Sequence, residues 1–263
     1  MGRQRSVVRV GLWLSLAVGS YAVGSPILPG YDHLKAQPGS TWNFSSNPIA
    51  DDFFGPGSDP FEGQVAQVVT VTKVWRPLGA DFLTGPVEIP TEIVAMSLHS
   101  LQPIRVTYDG GAAESFFDVF ITIDPSRGQS VGEYSLTHNP IGQPDGGSMT
   151  VDSFFDVFFD ITFKPAEFSP PPDGNMATRH LYRQQLLTLA ASVPWSHTAQ
   201  APYDQRDSGG FFLGMPPDGT MPQVVTFEGE EFTWQVQLQA VPEPATLALL
   251  ALGGLGLLRR RRR

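Results

Sequence analysis

The sequence predicts an all-β chain, an antiparallel β-sandwich or jelly-roll, and three observations carry that prediction. Clusters of glycine and proline interrupt short apolar runs throughout residues 25–241, as turns interrupt strands. Several of these runs alternate apolar and polar residues with period two, the mark of a strand with one buried face. No strand–helix–strand rhythm is visible, so a parallel α/β sheet is not expected.

Taken in order, residues 65–75 (VAQVVTVTKVW) are dense in β-branched side chains, with Val65, Val69, Val71 and Trp75 on one parity. Further strands are expected at 92–98, 103–108, 115–123, 132–137, 149–163 and 223–227. Turns are expected at Asp109-Gly110-Gly111, Pro144-Asp145-Gly146-Gly147 and Asp218-Gly219. Residues 181–193 (LYRQQLLTLAASV) alternate through Leu187, Leu189, Ala191 and Val193, which favours a strand, although Leu, Gln and Ala also form helices. The last strand is the clearest: Phe232, Trp234, Val236 and Leu238 alternate with Thr233, Gln235, Gln237 and Gln239.

An internal echo stands out. Glu114-Ser115-Phe116-Phe117-Asp118-Val119-Phe120 returns as Asp152-Ser153-Phe154-Phe155-Asp156-Val157-Phe158, each copy after a Gly-Gly pair. The alternation puts Phe117, Val119, Ile121 and Ile123 on one face, and likewise Phe155, Val157, Phe159, Ile161 and Phe163. Asp118, Asp156 and Asp160 then lie on the opposite faces among Phe116, Phe120, Phe154 and Phe158. Carboxylates set among rings form a candidate cation or sugar site, since rings stack on sugars and carboxylates hold hydroxyls or calcium. The competing reading is two equivalent core strands. The segment 50–61, acidic and rich in Gly, Pro and Phe, reads as a solvated loop, with calcium binding as its alternative.

Composition narrows the chemistry. Cysteine is absent, which removes thiol catalysis, thiolate metal sites and disulfides. The five histidines stand apart in sequence, so no zinc motif is present and no metal site is assigned; calcium is the one cofactor left open. Of 17 basic residues, eight lie at the termini (Arg3, Arg5, Arg9 and Arg259 to Arg263); the other nine face 26 acidic ones, a balance near −17 over the rest of the chain. Such a chain repels polyanions, and nucleic acid is not an expected partner. No nucleophile elbow, phosphate loop or dinucleotide fingerprint occurs, and no catalytic residue is assigned.

The two ends carry an address. Residues 1–24 combine a basic start, an apolar run and small residues Ala22 and Gly24 before Ser25, a secretory signal peptide cut before Ser25. No Arg-Arg pair points to the twin-arginine route, so the Sec translocon and signal peptidase are the expected partners. At the other end, Pro242-Glu243-Pro244 precedes a 14-residue uncharged run, 245–258, and then Arg259, Arg260, Arg261, Arg262 and Arg263. As a helix the run spans about 21 Å, short of a bilayer core of about 30 Å. The arginines hold the terminus on the cytoplasmic side and leave the preceding chain outside.

This arrangement resembles the PEP-CTERM sorting signal. The resemblance covers about the last 23 residues and implies that an exosortase recognises Pro242, Glu243 and Pro244, with 245–258 a transient transmembrane anchor and the arginines its topology determinant. It also implies a host with an exopolysaccharide or biofilm matrix. The expected organisation is a signal peptide (1–24), a β-rich extracytoplasmic body (25–240) and a sorting and anchor segment (241–263). The chain is expected to be exported, held at the inner membrane and then displayed at the cell surface or released. The expected function is a non-enzymatic surface or biofilm-matrix protein, with a carbohydrate- or calcium-binding adhesive module and a secreted hydrolase as alternatives.

Overall fold

The computed structural model describes residues 27–68, 71–80, 86–137, 149–197, 203, 206–217 and 220–240. The signal peptide, the sorting segment and the turns at 144–147 and 218–219 lie outside the described residues. No helix among the described residues is long and apolar enough to cross a membrane.

In chain order the strands are β1 (Gly30–Ala36), β2 (Thr41–Asn43), β3 (Gln64–Val68), β4 (Val71–Arg76), β5 (Val87–Ala95), β6 (Ser97–Ser100), β7 (Ile104–Tyr108) and β8 (Ala113–Ile123). They continue as β9 (Ser130–Thr137), β10 (Thr150–Pro165), β11 (Arg179–Leu189), β12 (Val193–Ser196), β13 (Phe212–Leu213), β14 (Val225–Glu228) and β15 (Phe232–Leu238). A 3-10 turn at Arg206–Ser208 is the one helical element described. The chain is all-β, as its alternation predicts.

Every strand pairing is antiparallel. The pairings form two closed circuits, where a simple two-sheet sandwich would leave its edges open. One circuit runs β1–β4–β5–β9–β10–β11–β14–β15 and returns to β1; the other leaves β15 through β2, β3, β6 and β8 and rejoins β10. Two strands serve both. The first half of β10 pairs with β9 and its second half with β8, while β11 takes the other edge from Phe154 to Phe163. The start of β15 pairs with β2 and its end with β1. At about 3.3 Å per residue, the 16 residues of β10 run roughly 50 Å.

Alternation explains why β10 can be this long. Val151, Phe155, Val157, Phe159, Ile161 and Phe163 are fully buried, and Asp152, Phe154, Asp156, Phe158 and Asp160 point outward. Its inner face meets an aromatic core in edge-on and tilted contacts, the geometry that ring quadrupoles favour. Trp42 meets Phe159 at 5.1 Å, Phe155 meets Phe227 at 5.3 Å and Phe227 meets Trp234 at 5.2 Å. The echo has a structural counterpart. In both β8 and β10 the first half pairs with the preceding strand, and the second half pairs on the same edge with an earlier one.

Three expectations are corrected. The run 65–75 divides into β3 and β4, and the buried parity changes between them: Val65 is inside in β3, but Thr72, Val74 and Arg76 are inside in β4. Trp75 therefore lies on the outer face, 4.5 Å from the Tyr31 ring. Residues 50–61 are not a solvated loop: Phe54 is fully buried and packs on Phe117 at 4.9 Å and Phe163 at 5.2 Å. The alternation expected through Val193 stops at Leu189, where the chain bends and begins β12.

Candidate functional site

Alternation fixes where the three aspartates go. Because Phe117, Val119, Phe155, Val157 and Phe159 fill the core, Asp118, Asp156 and Asp160 stand on the outer face of the β8–β10–β11 sheet. Their neighbours differ. Asp156 lies opposite Leu186 of β11 and Val131 of β9, and both its oxygens accept from Gln184 Nε2 at 2.9 Å. Asp160 lies opposite Tyr182 and Thr122, with both oxygens 3.0 Å from His180 Nδ1. Asp118 lies opposite Lys164.

Asp156 and Asp160 are four residue steps apart, about 13 Å along a strand, whereas calcium needs its oxygens at about 2.3–2.6 Å. One ion cannot use both. Among the described residues no group of three His, Asp or Glu side chains is placed to hold a metal ion. What the face assembles is a row of planar polar pairs between apolar groups: Phe154, Val131, Leu186 and Tyr182 are all exposed. The β8–β9 turn frames this row. Asp124 caps it by accepting from Ser126 N at 3.0 Å, and Arg127 lies over the Tyr182 ring at 4.1 Å.

Sequence reasoning missed two buried ionic clusters. In the first, Arg76 Nε donates to Asp32 Oδ2 at 3.1 Å and Nη1 donates to Leu28 O at 3.0 Å, while Nη2 donates to Ser208 O. The guanidinium also lies 5.0 Å from the Phe211 ring. Burial holds the Asp32 carboxyl above the ordinary carboxylate range, with Arg76 opposing that shift. The Tyr134 phenol beside it is pushed well above its usual range, chiefly by burial and also by the Asp32 charge. In the second cluster, Glu231 accepts from Trp42 Nε1 and from Asn47 Nδ2, each at 2.8 Å, with Arg183 Nε at 3.5 Å. The only local signal was an acidic or basic residue on an inward parity, as at Asp32 and Arg76.

A cleft of about 470 Å³ opens between β3 and the β6–β7 turn, lined by Phe61, Gln64, Val65, Leu101, Pro103 and Arg105 among others. Among the described residues of its lining there is neither a carboxylate nor a histidine.

The geometry defines an acidic all-β body with a ring-and-carboxylate outer face, whose last strand leads straight into the C-terminal segment. That segment, residues 240–263, matches the PEP-CTERM protein-sorting motif. A PEP-CTERM signal marks a chain for export, membrane-anchored transit and processing by an exosortase. No curated protein and no solved structure shows a significant match to this chain.

Proposed function

We propose that this protein is a non-enzymatic component of the bacterial cell surface or biofilm matrix. It is exported through the Sec translocon, trimmed by signal peptidase before Ser25, tethered by residues 245–258 and released by an exosortase at or near Pro242-Glu243-Pro244. The observation that carries this reading is the sorting motif at 240–263, which begins two residues after β15 ends. An acidic, cysteine-free body suits that destination, because it stays dispersed without disulfides. Mass spectrometry of both termini of the mature protein from its host tests the reading. A chain beginning at Ser25 and ending near Pro242 is expected; one still ending in Arg259 to Arg263 overturns it.

A second reading, favoured by the outer face of β10 and β11, is that the body binds polysaccharide there. Phe154 supplies a ring, and the Asp156–Gln184 and Asp160–His180 pairs supply acceptors and donors for hydroxyls. Replacing a stacking ring is expected to weaken sugar binding by about 1 kcal/mol or slightly more, roughly tenfold. Phe154→Ala should therefore reduce retention on the host exopolysaccharide about tenfold while leaving the urea midpoint in place. Equal retention of variant and wild type removes this reading.

A further inference from the structure

The end of the first circuit from which the sorting tail departs differs from the rest of the surface. Leu34 pairs with Leu238 and Gln239 N donates to His33 O at 2.9 Å, so the tail leaves alongside β1, heading toward its start. Gly30 pairs with Arg76, and Val225 pairs with Val236. The residues just beyond these strand ends thus crowd the same rim. They include Leu28 (57 % exposed), Leu78 (58 %), Met221 (70 %) and Val224 (47 %). Ile27 and Ala80 tie the first two segments together in a β-bridge, and Leu28 N donates to Gly209 O at 2.8 Å.

Charge is scarce on this rim. Among the described residues of segments 27–30, 76–80, 206–210, 220–225 and 238–240 the charged ones are Arg76, Arg206 and Asp207, while Asp81, Asp204 and Asp218, which flank these segments in sequence, lie outside the described residues. Arg76 is buried, and Asp207 lies 2.7 Å from His33. On a chain whose non-terminal balance is near −17, the described residues of these segments carry one carboxylate, itself paired, and so offer an anionic lipid surface little repulsion.

Reach then fixes orientation. Six residue steps lead from Gln239 to Ala245, the first of the apolar run, and at full extension they span about 20 Å. The opposite end of the body, near Phe168, is roughly 50 Å away along β10. While the tail is in the membrane, the rim is the part of the body held nearest to it.

We infer that this rim is a membrane-docking surface: in the tethered stage Leu28, Leu78, Met221 and Val224 rest in the outer interface of the phospholipid bilayer and hold the body upright over its own tail. The inference rests on the sorting-tail reading above. Docking sets the height and direction at which the motif is presented to a membrane-embedded protease.

The natural lack of cysteine allows a direct test. The full-length chain retaining its tail, purified from cells lacking exosortase, is incorporated into vesicles of phosphatidylethanolamine and phosphatidylglycerol. Leu28→Cys, Leu78→Cys and Met221→Cys are compared with Phe168→Cys at the far end, 73 % exposed in the wild type. Each rate of labelling by a water-soluble thiol reagent is divided by the rate of the same variant in urea. Rim positions are expected to react at least about fivefold more slowly than Phe168→Cys, as residues seated in the headgroup region do. A chain that floats with the vesicles yet labels equally at rim and far end overturns the inference and leaves the tail reading intact. A chain that does not float removes the anchor, and the docking surface with it.

Discussion

Arg76 Nε donates to Asp32 Oδ2 across 3.1 Å between neighbouring strands, with both side chains withdrawn from solvent. The same guanidinium holds the carbonyls of Leu28 and Ser208, so one side chain fastens the segment before β1 and the 3-10 turn to the interior of the first circuit. Removing one partner of a buried ion pair strands the other, at a cost of about 3–5 kcal/mol. Arg76→Met is therefore expected to lower unfolding free energy by that amount at neutral pH, measured by urea titration. A change within experimental error would mean that Asp32 and the two carbonyls find other partners.

The same pair sets a pH dependence. Burial raises the Asp32 pKa above its usual 3.8, even with Arg76 opposing, so the folded state binds this proton more tightly than the unfolded chain. Its contribution to stability is full below the unfolded pKa and declines as pH rises through the folded one. Asp32→Asn should abolish that decline. Urea midpoints of wild type and Asp32→Asn, followed upward from about pH 4, are expected to diverge, and parallel curves would sink the assignment.

Asp59 behaves oppositely. Gly110 N donates to its Oδ1 at 2.9 Å and Gly111 N to its Oδ2 at 3.1 Å, while both glycines hold positive φ, 68° and 92°, in the β7–β8 turn. Hydrogen bonds from Thr107 first, and then from these amides, hold the Asp59 carboxyl below its usual 3.8. The hold on the turn is present above the unfolded pKa and lost as pH falls through the folded one. Asp59→Ala is expected to speed amide exchange at Gly110 and Gly111 about tenfold, with little change in the core. Unchanged exchange would show that the turn holds its shape without the carboxylate.

Phe54 shows why an apparent loop can matter to the core. Its ring meets Phe53, Phe117 and Phe163 at 5.0, 4.9 and 5.2 Å and belongs to the main hydrophobic core. Truncating a buried phenylalanine costs about 3–5 kcal/mol, transfer and cavity together. Phe54→Ala should lose that much, whereas a solvated loop would lose under about 0.5 kcal/mol. Urea denaturation separates the two outcomes.

Within the strands, sequence and structure part where an inward position is polar. Period two was legible wherever the inward residues were apolar: β8, β10 and β15 point the residues inward that their alternation names. It failed where an inward position is polar. β1 carries Gly30 and Asp32 beside Leu34 and Ala36 on its inner face, which breaks the apolar alternation, and the single parity read through Val65 and Trp75 fails because Arg76 is the residue that is buried. A buried charge looks like surface until its partner is known, and Asp32 and Arg76 are 44 residues apart. For the outer face, the positions of Asp118, Asp156 and Asp160 could be read from parity. Their neighbours, Lys164 across the strand from Asp118 and the hydrogen-bonded Gln184 and His180, depend on strand register, which one sequence does not fix.

Glu231 offers the most discriminating test of how the two circuits are joined. It precedes the residue at which β15 meets β2, where Phe232 pairs with Trp42, and its carboxylate accepts from Trp42 and Asn47 and forms an ion pair with Arg183 at 3.5 Å. Glu231→Ala leaves the Trp42 indole N–H buried without an acceptor and Arg183 without its countercharge, and is expected to cost about 3–5 kcal/mol. Glu231→Gln keeps one acceptor oxygen but turns an amide toward the second donor, so its loss should be intermediate. If the indole bond carries part of the joint, Trp42→Phe combined with Glu231→Ala will fall short of the summed single losses by about 1–2 kcal/mol. Additive losses would mean that the indole bond contributes nothing to the joint, leaving the carboxylate's role to Asn47 and Arg183.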